Sequence, residues 1–192
     1  MKKALLRNLL MTVFFAALPV LFGSCARAQE TSGSDLSRAF SEAGLPLLKE
    51  PVSIRDFSLP RASQEENAEP FSLSGLKGKV VFLNFWASWC GPCREEMPSM
   101  EALYNQYRDK GLEIIAVNIQ ESNEQVLAFM KTNGLSFPAA LDSDGKVSAT
   151  YGIQAIPASF IIDREGKIIA RKVGSINWNT PKVRAAMERV LN

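Results

Sequence analysis

The residues best suited to do chemistry in this chain are Cys90 and Cys93, separated by Gly91 and Pro92. Two intervening residues let the sulfurs close a disulfide with little rearrangement, so the pair can pass between dithiol and disulfide. A ring that small restricts the unfolded chain very little, which makes it a poor structural staple. Val80–Phe85, just before the pair, is a continuous apolar run of β-prone residues, and a helical pattern follows it. The cysteines therefore sit where a buried strand turns into a helix. The unpaired N–H groups and the positive end of the dipole at a helix start favour a thiolate. Cys90 is the expected exposed attacker, and Cys93, one helical turn deeper, the expected resolving thiol.

Other uses of a C-x-x-C pair fit less well. A structural zinc site takes four ligands, and the chain has three cysteines and no histidine. Covalent haem attachment needs a histidine after the second cysteine, where Arg94 stands. An iron–sulfur cluster lacks its remaining cysteines. With no imidazole, acid–base chemistry falls to carboxylates, Lys, Tyr, Cys or water. No cofactor and no metal is implied. The formal charge of +2 includes Lys2, Lys3 and Arg7 near the N-terminus. The remainder is close to neutral and offers no electrostatic footprint for nucleic acid.

The elements that must position the pair can be read along the chain. Residues 1–28 have the pattern of a secretory signal peptide: a basic start, an apolar stretch from Leu9 to Phe22, and small residues at Ala26 and Ala28. Three readings stay open: cleavage to a soluble protein, lipidation of Cys25 in the loose lipobox Phe22-Gly23-Ser24-Cys25, or an uncleaved membrane anchor. All three place the domain outside the cytoplasm, where disulfide chemistry is normal. Residues 29–50 are mixed and polar and read as a linker, with one short helix near Leu36–Ala43; residues 51–192 form a single domain.

Asp56–Leu59 suggests a short strand and Gln64–Pro70 a loop. Met97, Met100, Leu103, Tyr104 and Tyr107 make a helical stripe within Arg94–Lys110, ended by Gly111. Pro98 removes a backbone donor there, so a kink is expected. Leu112–Ile119 is a strand, and Ser122 with Gln125 a capping box opening a helix that stops at Gly134. Phe137–Leu141 is a short strand. Ser159–Ile162 and Lys167–Val173 are strands joined by the turn Asp163–Gly166. Thr180-Pro181 starts a last helix carrying Val183, Ala186, Met187, Val190 and Leu191. This order describes an α/β sandwich around a central mixed sheet, parallel first and antiparallel at the end.

Phe85-Trp86-Ala87-Ser88-Trp89-Cys90-Gly91-Pro92-Cys93 resembles the active-site strand of the thioredoxin superfamily. From about residue 50 onward the chain is similar to the TlpA/ResA-like branch of exported, often membrane-tethered thioredoxins. That resemblance implies a thioredoxin fold with an added helix and strand, placed within Glu121–Leu141. It implies that Ile156-Pro157 is a cis-proline loop facing the cysteines, and that Trp89, Gly91, Pro92, Ile156 and Pro157 meet the substrate. It implies an active-site carboxylate at Glu96, three residues after Cys93 and on the same helix face, able to shuttle protons or to oppose thiolate formation. Asn84 departs from thioredoxin itself, which has a buried Asp at the matching position, so proton transfer would rely on Glu96 or water. Trp86 reads as core, and Trp89 as a cover for the disulfide.

The leading function is thiol–disulfide exchange with exported protein partners; the resemblance to the TlpA/ResA-like branch implies the reductive direction, with apocytochrome c as one such partner and a membrane thiol as the electron donor. Two alternatives belong to other classes: a peroxide-reducing enzyme, and a non-catalytic thioredoxin-fold binding module.

Overall fold

A computed structural model describes residues 24–65 and 67–192, with side chains from Gly33 onward. The signal-peptide reading and the lipidation of Cys25 lie outside the described residues and side chains.

The sheet grows from its most apolar strand. β4 (Val80–Trp86) is buried at all seven positions, as a central strand covered on both faces must be. β5 (Leu112–Ile119) runs parallel to it, and β6 (Ala139–Asp142) runs parallel to β5. On its other side β4 pairs antiparallel with β7 (Ala158–Ile162), which pairs with β8 (Lys167–Val173). β1 (Leu47–Ser53) closes that edge antiparallel to β8, giving the order β1-β8-β7-β4-β5-β6. A two-strand ribbon of β2 (Ser58–Leu59) and β3 (Phe71–Ser72) stands apart.

The helices cover the sheet. α2 (Gly91–Tyr107) follows β4, α3 (Asn123–Thr132) follows β5, and α5 (Pro181–Leu191) ends the fold. The side chains of β4 alternate: Val80, Phe82 and Trp86 join the core with Met97, Met100, Trp178 and Met187, while Val81, Leu83 and Phe85 join a second core with Leu59, Phe71 and Phe160. Asn84 shares the phase of Phe82 and Trp86, which puts it on the α2 side. The chain is a thioredoxin fold, and α3 with β6 occupies the window expected for the added helix and strand.

The termini of the elements follow local rules. Ser122 and Gln125 form a reciprocal capping box at α3, and Thr180 accepts from Val183 N–H at α5, whose first residue is Pro181. Gly111, at φ 95°, ends the short 3₁₀ turn after α2 in a conformation that a Cβ would resist. Pro98 lies inside α2, which nonetheless runs on to Tyr107.

Two stretches depart from the sequence reading. Residues 29–50, read as a linker with one short helix near Leu36–Ala43, hold more regular structure than that: the helix is there but longer, and a strand follows it. α1 (Ser24–Glu42) runs through much of the stretch, buries Phe40, packs on α5, and leads through buried Leu45 into β1. Within its last turns Ser37, Arg38, Ser41 and Glu42 face solvent, while Phe40 is sunk in the core and Leu36 and Ala39 pack against it. The second is α4 (Lys146–Thr150), with no cap of its own: its N-cap is Gly145 at φ 70°. The Asp142 carboxylate supplies the acceptors instead, taking Val147 N–H at 3.0 Å and Ser148 N–H at 2.7 Å. Among the described residues no helix is long and apolar enough to cross a membrane.

Candidate active site

β4 delivers the chain to the end of the sheet at Trp86. Ala87–Trp89 then turns it, and α2 starts at Gly91 with Cys90 as its N-cap and Pro92 in its first turn. Cys90 and Cys93 form a disulfide with Cα atoms 5.3 Å apart. Cys93 N–H donates to Cys90 Sγ at 3.2 Å, so the sulfur takes one of the donors that a helix start leaves free. Cys90 keeps 6% of its surface exposed and Cys93 none. An incoming sulfur therefore meets Cys90 first, and Cys93 waits behind it.

The loop before β7 sits opposite. Phe85 pairs in register with Ala158, so Pro157 must lie at the level where β4 ends and the disulfide begins. The Ile156–Pro157 bond is cis. Cys90 Sγ is 3.8 Å from the Ile156 carbonyl oxygen, within reach of a donated S–H in the reduced state. Trp89, next to Cys90 in the chain, is 70% exposed, while Trp86 is fully buried. Trp89, Gly91 and Pro92 thus flank Cys90 in the chain, and the Ile156–Pro157 loop faces its sulfur.

Glu96 is 2% exposed, unlike its exposed neighbour Glu95. Asn84 Nδ2 donates to its Oε1 at 2.9 Å, and Trp178 Nε1–H donates to its Oε2 at 2.9 Å. Burial raises the carboxyl from 4.5 to about 7, with hydrogen bonds from Trp178, Asn84 and the Ile176 backbone pulling the other way. A carboxyl poised there can hold or release a proton at neutral pH, which suits acid–base work beside a thiol. Asn84 also donates to Ser159 Oγ at 2.9 Å, across the pair that the β4–β7 register creates. Both of its amide hydrogens are thereby used.

A second buried carboxylate, Glu121, holds the turn that carries Trp89. It accepts from Ser88 N–H at 2.7 Å, from the Ser88 hydroxyl, and from Asn118 Nδ2 at 2.6 Å. Trp178, Ser159, Ser88 and Glu121 were not singled out by spacing. The available signal was chemical: a buried indole N–H needs an acceptor. Among the described residues no group of three His, Cys, Asp or Glu is placed to hold a metal.

A family model described as Redoxin matches residues 49–190. The chain belongs to the redoxin family. Within that family it is ResA-like. It is 48% identical over 102 residues to the thiol-disulfide oxidoreductase ResA of Bacillus thuringiensis (strain Al Hakam), covering 53% of this chain and 59% of that protein, so the chain spans less than two thirds of that relative. It is 40% identical over 129 residues to the ResA of Halalkalibacterium halodurans, covering 63% of this chain and 73% of that one. Among solved structures, a thiol:disulfide interchange protein of the thioredoxin family from Chlorobium tepidum TLS is 29% identical with a TM-score of 0.63, over 76% of this chain and 99% of that one. The redoxin fold and the C-x-x-C helix start thus coincide in this chain.

Proposed function

We propose that this redoxin is an extracytoplasmic protein thiol–disulfide oxidoreductase working as a reductase. In the dithiol state, Cys90 thiolate attacks a partner disulfide. The new bond joins Cys90 to one partner sulfur, and the other partner sulfur leaves as a thiolate that takes up a proton. Cys93, deprotonated in turn, attacks Cys90 Sγ, closes the Cys90–Cys93 disulfide and releases the second partner thiol. Two electrons pass from this chain to the partner. Glu96 exchanges protons with the cysteines, and the cis Pro157 loop with Trp89 aligns the partner backbone. The carrying observation is the disulfide itself, with Cys90 keeping a small exposed fraction and Cys93 sealed one turn behind it.

The partners on this reading are exported proteins bearing disulfides, apocytochrome c among them, with a membrane thiol as electron donor and no nucleic acid. The N-terminal signal pattern and the ResA relatives support a place outside the cytoplasm, whether the chain is soluble or tethered at its N-terminus.

Replacing Cys93 by Ser should trap partners as mixed disulfides on Cys90. A binding module would give no cysteine-dependent trapping, and that result would end the exchange reading. Direction follows from the reduction potential of the full chain, read by tryptophan fluorescence in graded thiol–disulfide buffers. A midpoint near or below about −230 mV supports a reductase, and one near about −120 mV reverses the assignment.

A further inference from the structure

Trp178 is fully buried although it belongs to no strand or helix, lying in the segment between β8 and α5. Its ring lies against Phe82 of β4, with centroids 4.3 Å apart. Its backbone N–H donates to Ser99 Oγ at 2.9 Å, and that hydroxyl donates to the Glu96 carbonyl at 2.6 Å. Its indole N–H reaches the Glu96 carboxylate. One residue thus grips Glu96 at the side chain directly and at the backbone through Ser99. The Ile176 backbone adds a further bond to the same carboxylate.

We propose that Trp178 is a positioning residue for Glu96, and that the β8–α5 loop governs when this carboxyl carries a proton. The proposal deepens the reading of Glu96 as the proton carrier and rests on it. The partners of the carboxylate are neutral donors: Asn84 from β4, in turn bonded to Ser159 of β7, and Trp178 and Ile176 from the loop. On α2 itself, the charged neighbours are Arg94 and Glu95, both exposed; Cys93 lies one turn earlier and Cys90 nearly two, both held in the disulfide and so not titrating in the oxidised state. Neutral donors stabilise the carboxylate and leave the carboxylic acid almost untouched. Losing one of them moves the proton balance toward the acid. A cavity of about 400 Å³ opens between α2 and this loop, lined by Glu96, Ser99, Ser175 and Asn177 among others. Neither cysteine lines it.

The test uses the full-length oxidised protein, with the Glu96 carboxyl carbon followed by NMR from pH 5 to 9 and assigned by its loss in Glu96→Gln. The wild-type midpoint is expected near 7. Trp178→Phe keeps an aromatic ring against Phe82 but removes the N–H, and should raise the midpoint by about one pH unit. The indole ¹⁵N–H signal of Trp178 in the wild type should move with the Glu96 midpoint and stay flat in Glu96→Gln. A midpoint unmoved in folded Trp178→Phe overturns the proposal. Where that variant does not fold, an indole signal indifferent to Glu96 ionisation overturns it in the wild type. The proton role fails separately: if Glu96→Gln exchanges disulfides as fast as the wild type across this range, the clamp stands and the carrier reading falls.

Discussion

Glu96 should make the oxidised protein lose stability as the solution turns neutral. Its folded value, about 7, stands above the 4.5 of an unburied glutamate. Between those values the folded chain holds a proton that the unfolded chain has released, so stability is fully present below about pH 4.5 and drains away as pH rises through 7. The full displacement corresponds to about 3 kcal/mol, of which about 2–3 kcal/mol falls between pH 5 and 7.5. The window is unusually clean. The chain has no histidine, ordinary carboxylates are already ionised, and the disulfide keeps Cys90 and Cys93 from titrating. Urea unfolding of oxidised wild type and Glu96→Gln at pH 5, 6, 7 and 7.5 measures the effect. The wild type should weaken along the series and the variant should hold level. A level wild type, or a variant with the same slope, would refute the assignment of a neutral buried carboxyl at this site.

Asn84→Ala removes the other side-chain donor to Glu96 and should push the same pH transition upward by about one unit, read from the same unfolding series. Phe40→Ala should cost about 3–5 kcal/mol by urea unfolding, because the side chain is fully buried in the main core; a cost under about 1 kcal/mol would show that α1 is not part of the folded unit. Trp89→Ala should change stability by less than about 0.5 kcal/mol, since the ring is mostly exposed. Its turnover with a protein disulfide should drop while its reaction with a small disulfide is retained, and equal losses with both would remove Trp89 from partner contact.

What the sequence revealed and what it hid divide along a physical line. The strand before Cys90, the helix after it and the capping box at Ser122 are local patterns: each is fixed by residues within one or two turns of one another. The partners of Glu96 are not local. Asn84 meets Glu96 through the pleat of β4, which can be reasoned out once the strand is placed. Trp178 lies 82 positions away, and only the path of the β8–α5 loop brings it back. α4 was invisible for a related reason, because its capping acceptor is Asp142, outside the helix and at the end of β6. β1 and the full length of α1 were hidden by composition. Gly33 and several Ser and Thr residues dilute the helical stripe. Pro51, Lys49 and Glu50 make β1 read as loop, although all three suit an edge strand, where one side of the ladder is free.

The bond between Asn84 and Glu96 carries a rule for the evolution of this site. An aspartate at 84 would bring two carboxyls within hydrogen-bonding distance inside the core, where both cannot ionise together. Such a pair would have to share one proton, so an acid at position 84 would compete with the proton handling of Glu96. Lineages with an acid at position 84 should tend to lack one at position 96, and those with Glu at the second should favour an amide at the first. The indole donor at 178 should travel with the second solution. Passing from one solution to the other by single substitutions crosses a doubly acidic or an acid-free intermediate. The two designs should then appear as separate branches of the family, with few mixtures between them.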